Sequence, residues 1–357
     1  PAGIWVCDAD MVWLRPPSAE LVHRAALAGG DVLLSTDCLD LRGDERGECG
    51  ATANFNTGVL FVRKTARARR FLGAWAAKME AARPEPWLDD QAVFNELVRD
   101  GFAQSGGGAS RLYSAAGGTV TVGLLPLSLV ANGHTFFVQH RCAFCQPHCE
   151  CDEALPLAVH TTYQYGDAAE FAYGKRARLQ QAGLWRADDG GGAAERFLAV
   201  REPPRLVGAA VTSNHSAALV AQQRDHEGGW RRRVISLLAL AIATNRTLVL
   251  PAALCYCDLN WAEMRACRVP GAEAMPLPFE CPIDHLLELP AWHRQTLVRW
   301  RPPRYLRHSR RIAPASVQRV AFARSGAHVD GDTLWLPAGR DDAALRTALS
   351  AAGADAA

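Results

Sequence analysis

Trp5-Val6-Cys7-Asp8-Ala9-Asp10-Met11-Val12-Trp13 decides the fold class of this chain. The apolar run Ile4 to Cys7 gives way to two carboxylates and then resumes, the pattern of a buried strand that ends in a loop. Along extended backbone, side chains alternate faces, so Asp8 and Asp10 are expected to point the same way. Two hard carboxylates at the carboxyl edge of a sheet suit Mg²⁺ or Mn²⁺, whose open coordination positions take phosphate oxygens. The competing reading is an acidic loop that caps the next helix.

Working outward, Ser18 to Ala28 reads as a helix and Asp31 to Ser35 as a strand. Asn56 to Arg63 reads as a second strand. Thr65 to Ala82 has helical periodicity, with Phe71, Leu72, Trp75 and Met79 on one face. Asp89 to Val98 opens with acidic residues, as helix N-termini favour. This alternation argues for α/β layering around a mostly parallel sheet. Phe136 to Gln139 looks strand-like. In the second half Arg231 to Thr244 is helical and Arg246 to Pro251 a short strand ending at proline. Asp188 to Ala194 (Asp-Asp-Gly-Gly-Gly-Ala-Ala) is the clearest break. The expected organisation is a first α/β domain over 1–190, a smaller α/β domain over 191–320, and a tail over 321–357 with a strand pair and a helix.

Composition narrows the function. The 357 residues are 49% apolar and carry a formal charge of +2, which excludes a disordered chain and argues against a general nucleic-acid binder. No apolar run approaches the length of a bilayer span. The chain enters its first strand directly after Pro1, with no signal peptide or anchor before it, and reads as a fragment whose front is missing. Eleven cysteines fit an oxidising lumen with disulfides, or else a metal cluster. The sequons Asn214-His215-Ser216 and Asn245-Arg246-Thr247 are compatible with a secretory route.

Three further segments carry chemistry. Asn56-Thr57-Gly58 places polar side chains and a glycine immediately before an apolar strand run, where they are an ordinary turn or reach a sugar hydroxyl. Asp89-Asp90-Gln91 opens a helix, as an N-cap or a second set of hydroxyl ligands. His160-Thr161-Thr162-Tyr163-Gln164, with Gly174-Lys175-Arg176 beyond it, offers an imidazole to complete a metal shell and a point charge for a diphosphate. Asp-x-Asp-x-Val also resembles the first motif of haloacid-dehalogenase-type phosphatases, with Ser35 or Thr36 as the second motif, but the spacing fits poorly.

Taken as an ordered set, these motifs resemble the plant and algal nucleotide-diphospho-sugar transferases of glycosyltransferase family 77, above all the Golgi arabinosyltransferases of hydroxyproline-rich glycoproteins such as extensins. Asn245-Arg246-Thr247-Leu248-Val249-Leu250-Pro251 and Phe279-Glu280-Cys281-Pro282-Ile283-Asp284-His285 resemble the region beyond the catalytic domain of that subgroup. The resemblance implies a GT-A-like (Rossmann-type) fold lacking its first strands and a retaining, metal-dependent transferase. It implies Asp8, Asp10 and His160 as ligands of Mn²⁺ (or Mg²⁺) and Lys175 at the leaving diphosphate. It implies Asn56, Thr57, Asp89, Asp90 and Gln91 around the donor sugar or acceptor. No protein nucleophile is assigned.

The implied partners are a UDP-sugar donor, with arabinofuranose as the sugar, and a hydroxyproline-rich glycoprotein acceptor. The implied location is the Golgi lumen, with a membrane anchor outside this chain. Galactosyl or xylosyl transfer to a cell-wall glycan, and a non-catalytic glycan-binding descendant, are the alternatives. An insertion relative to the family, Cys142-Ala143-Phe144-Cys145-Gln146-Pro147-His148-Cys149-Glu150-Cys151, sets Cys142, Cys145, Cys149 and Cys151 at a spacing able to hold zinc. In an oxidising lumen disulfides are favoured over zinc there. Cys255 with Cys281 and Cys257 with Cys267 are candidate disulfides of the second half, a pairing that spacing alone leaves open.

Overall fold

The computed structural model describes residues 3–17, 24, 26–82, 89–105, 110–139, 156–163, 171–185, 196–200, 210–211, 215–259, 264, 266–308, 319–323, 328–330 and 333–337. The chain divides into two compact units, Pro1–Gln164 with Ala262–Pro276, and Tyr165–Trp261 with Leu277–Ala357. The expected break at Asp188 to Ala194 and most of the expected helix Ser18 to Ala28 lie outside the described residues.

The first unit begins with β1 (Gly3–Cys7) and β2 (Met11–Trp13), followed by β3 (Val32–Thr36). Two short helices, α1 (Leu41–Glu45) and α2 (Cys49–Thr52), lead into the long strand β4 (Phe55–Arg63). Helices α3 (Ala66–Ala82) and α4 (Asp90–Arg99) come next, then β5 (Ala103–Gln104), β6 (Leu112–Ala115), β7 (Val120–Leu124) and β8 (Val130–Asn132), and finally β9 (Ala158–His160).

Six strands form the main sheet in the order β1-β4-β3-β7-β6-β5. The expectation of a mostly parallel sheet is corrected: β3–β7 is its one parallel pair, and the other four are antiparallel. Antiparallel pairs need only short connections, whereas parallel ones need a crossover. The β6–β7 hairpin turns through Ala116, Gly117 and Gly118, all with positive φ (49°, 62° and 80°), a conformation in which glycine carries no steric cost.

The core lies on both faces of this sheet. Val32, Leu34, Leu60 and Val62 pack with Phe71 of α3 and with Phe94 and Val98 of α4. Leu33, Val59 and Phe61, alternating with them, pack with Leu27, Leu125, Leu129 and Val130 on the other face. Burying each such side chain contributes about 1.5–3 kcal/mol. Because both faces are covered, β3 and β4 read as continuous apolar runs.

Strand β1 is an edge, and the expectation of a fully buried strand is corrected. Trp5 packs on Phe61 and Trp13, with ring centroids 5.0 and 5.3 Å apart, while Ile4 and Val6 on the opposite face are 59% and 44% exposed. Phe136 to Gln139 is not a strand but part of a π-helical turn over His134–Val138. All five residues are buried, so no periodicity distinguishes helix from strand. The Asn132 carboxamide oxygen caps the turn by accepting from the Thr135 amide at 3.0 Å.

The second unit has α5 (Phe171–Gln181), β10 (Phe197–Leu198), the long helix α6 (Ser216–Ala243) and β11 (Thr247–Val249). β10, β11 and the later strand Trp300–Arg301 are parallel, an α/β layer as expected. Three strands, Arg319–Ala323, His328–Asp330 and Thr333–Pro337, replace the expected pair in the tail. The helix expected after them lies outside the described residues.

Candidate active site

Asp8 follows directly on β1, and its amide donates to the Gly58 carbonyl at 3.0 Å, extending the β1–β4 ladder by one residue. The Met11 amide then donates to the Asp8 carbonyl at 3.3 Å and closes a tight turn. The two carboxylates therefore converge through a turn, and the extended alternation expected of them is corrected.

Their partner arrives on a second, three-stranded sheet, β2-β9-β8. Met11 of β2 and Asn132 of β8 both register with His160 at the end of β9. His160 Nε2 lies 3.2 Å from Asp10 Oδ1 and 3.5 Å from Asp8 Oδ2. The three donor atoms lie within 4.8 Å of one another. Side-chain exposure falls from 60% at Asp8 through 22% at Asp10 to 7% at His160, so the cluster is rooted in the fold and open on one side. Thr161 fastens the turn: its amide and hydroxyl donate to the Asp10 carbonyl at 3.3 and 2.9 Å.

Gly58 makes this convergence possible. A Cβ there would lie 2.2 Å from His160 Cε1 and 2.6 Å from Asp8 Oδ2. Two carboxylate oxygens and an imidazole nitrogen over a bare glycine are a donor set that fits Mn²⁺ or Mg²⁺.

The second cluster adjoins the first. Asn56 Oδ1 accepts from the Gly58 amide at 2.8 Å, and Asn56 Nδ2 donates to Asp37 Oδ1 at 2.8 Å. Gln91 Nε2 donates to Asp37 Oδ2 at 3.1 Å, while its Oε1 accepts from the Thr57 amide at 3.2 Å. The Thr57 hydroxyl donates to Asp90 Oδ2 at 3.1 Å. Asn56, Thr57, Asp90 and Gln91 thus form one polar network. Asp89 takes the N-cap position of α4, accepting from the Ala92 amide at 2.7 Å.

Asp37 is the residue that sequence reading missed. Both of its carboxylate oxygens are taken by amide side chains, and its carbonyl accepts from the Tyr163 hydroxyl at 2.8 Å. Burial pushes its carboxyl above the usual value, against the opposing pull of Asn56, His160 and Gln91. The Tyr163 hydroxyl is likewise pushed up, by burial first and by the Asp37 carboxylate second. An Asp following Ser35-Thr36 carries no pattern; its one signal is its place at the carboxyl end of a central strand.

Ser35 has a role in the sheet. Its hydroxyl lies 3.2 and 3.3 Å from the Asn56 and Val59 carbonyls at the β3–β4 irregularity, which accounts for it without a phosphatase motif. Lys175 stands on α5 in the second unit.

Disulfides join Cys38 to Cys49 and Cys255 to Cys281, and Cys257 and Cys267 are also disulfide-bonded. The first was not expected from sequence. Cys142, Cys145, Cys149 and Cys151 lie outside the described residues.

Residues 2–179 match the family model described as nucleotide-diphospho-sugar transferase. Through these residues the chain belongs to that family. Among curated proteins, the chain is similar to arabinosyltransferase XEG113 of Arabidopsis thaliana, with 32% identity over 297 residues. The alignment covers 80% of this chain and 41% of that relative, so the chain spans about two fifths of its length. No solved structure matches. The transferase domain and its mixed α/β sheet agree with the fold class expected from sequence. Among the described residues no helix is long and apolar enough to cross a membrane.

Proposed function

We propose that this chain carries the catalytic domain of a metal-dependent retaining glycosyltransferase. It transfers arabinofuranose from a UDP-sugar to arabinosylated hydroxyproline-rich cell-wall glycoproteins in the Golgi lumen. The observation that carries the reading is the convergence of Asp8, Asp10 and His160 over Gly58. The likeness to an arabinosyltransferase supports the choice of sugar, and the disulfides support an oxidising compartment.

In this reading Asp8, Asp10 and neutral His160 hold Mn²⁺ or Mg²⁺, which when bound supplies positive charge to a diphosphate leaving group. Asn56, Thr57, Asp90 and Gln91 present amide, hydroxyl and carboxylate groups to sugar hydroxyls, and Asp89 holds α4 in place to do so. The acceptor hydroxyl attacks on the face the nucleotide leaves, so no protein nucleophile is required.

The test is transfer of radiolabelled arabinose from UDP-arabinofuranose to an arabinosylated hydroxyproline peptide. The assay is run with Mn²⁺ and with EDTA, on wild type and on Asp10→Ala. Transfer that requires Mn²⁺ and disappears in the variant supports the reading. Transfer of galactose or xylose instead corrects the sugar alone, and failure of the full-length protein to bind Mn²⁺ with UDP overturns the reading.

A further inference from the structure

We propose that Tyr163 is a positioning residue of the donor site, whose hydroxyl closes a ring of contacts that fixes Asn56 and Gln91 relative to Asp8, Asp10 and His160. The inference rests on reading those residues as the donor site.

The ring can be followed bond by bond. From His160 the chain runs through Thr161, which holds Asp10, to Tyr163. The Tyr163 hydroxyl donates to the Asp37 carbonyl. The Asp37 carboxylate accepts from Asn56 and Gln91. Asn56 accepts from the Gly58 amide, and Gly58 lies against His160, where the ring began. A closed ring resists displacement at every member, whereas opening it at one contact frees its neighbours.

Two observations single out Tyr163. The first is backbone strain: its φ is +58°, a region that bulky side chains rarely occupy and that persists only where the surroundings impose it. Gly133 leaves room for the segment just before it, since a Cβ there would lie 2.0 Å from the Thr162 carbonyl oxygen. The Tyr163 ring also rests edge-on against His134, with centroids 5.8 Å apart.

The second observation is the target. The carbonyls of Asp37, Cys38 and Leu39 are taken in turn by Tyr163, Asn132 and Gln139, at 2.8, 2.7 and 2.7 Å. Asn132 and Gln139 flank the π-helical turn. Tyr163 is the member of this clamp that continues directly from His160, so it couples the candidate metal ligands to Asp37.

The test is Tyr163→Phe, which removes one hydroxyl, followed by amide hydrogen exchange. The Thr57 and Gly58 amides are bonded to the Gln91 and Asn56 side chains and therefore report on the ring directly. Their exchange is expected to quicken about tenfold, the scale of one lost hydrogen bond, while Val59 to Arg63 stay unchanged. Mn²⁺ alone is expected to bind within about twofold of wild type while kcat for the UDP-sugar falls about tenfold.

Unchanged exchange at Thr57 and Gly58, or an equal rise along all of β4, overturns the proposal. Should Tyr163→Phe fail to fold, Asp37→Asn breaks the ring at the next link; the same two amides must then quicken, and silence there overturns the proposal equally. A wild type that turns over no UDP-sugar defeats the donor-site reading alone, and the exchange result still decides the ring.

Discussion

Gly58 lies against His160 so closely that a single added methyl group would come within 2.2 Å of the ring carbon Cε1. The strand that forms the floor of the acidic cluster is bare at the point where the imidazole and the Asp8 carboxylate meet. Gly58→Ala must push one of them away. We expect it to weaken Mn²⁺ binding at least about tenfold and to cost about 1–3 kcal/mol in overpacking. Titration calorimetry with Mn²⁺ and urea denaturation measure the two effects. Wild-type metal affinity in this variant would refute the role given to the glycine.

The cluster should also stabilise the protein when loaded. A ligand that binds the folded state alone contributes about 2.7 kcal/mol at a hundred times its dissociation constant. Adding Mn²⁺ is therefore expected to raise the melting temperature and EDTA to reverse the rise. Asp8→Asn, Asp10→Asn and His160→Ala should each abolish the response. A response that survives all three substitutions places the metal elsewhere.

In the second unit, Arg178 and Asp284 form a buried pair at 2.8 Å, with side chains 1% and 3% exposed. His285 Nε2 adjoins the same guanidinium at 3.3 Å. Removing one partner of a buried pair typically costs about 3–5 kcal/mol because it strands the other charge. Asp284→Ala is expected to fall in that range by chemical denaturation, and Arg178→Met combined with Asp284→Leu to cost clearly less. Equal losses in the two proteins would mean that packing, not charge, holds this site.

A pH dependence follows from His226. Its Nε2 accepts from the Leu254 amide at 3.1 Å, so the bond requires the unprotonated nitrogen. Burial holds its pKa below the ordinary 6.5, with Arg233 acting in the same sense against Glu227 and Asp225. The folded protein thus takes up this proton less readily than the unfolded chain. The contribution is fully present above 6.5 and is lost as pH falls below it. Urea midpoints of wild type and His226→Gln should therefore converge on acidification below 6.5; a constant difference would exclude the mechanism.

Some of this was legible in the residues and some was not. Asp8, Asp10 and His160 could be singled out because carboxylates after an apolar strand, and a histidine beside small polar residues, depart from the local pattern. The strands over Val32–Thr36 and Phe55–Arg63 and the helices over Ala66–Ala82 and Asp90–Arg99 were legible because apolar spacing is a local property. Strand direction was not, since pairing depends on partners distant in the chain. Phe136 to Val138 misled because residues buried on all sides carry no period. Asp37 was missed, and Tyr163 stood in the His160–Gln164 stretch without a role, for a related reason: the contact that joins them spans residues distant in the chain.

The Cys38–Cys49 disulfide begins one residue after Asp37 and ties that segment to α2, with Cα atoms 5.7 Å apart. The segment whose three carbonyls are clamped is therefore also tethered through sulfur. Material prepared in a reducing cytosol would carry Asp37, the acceptor for the Asn56 and Gln91 side chains, beside a segment without that tether, even with every residue in place. The redox history of a preparation is therefore part of what sets the geometry around Asp37.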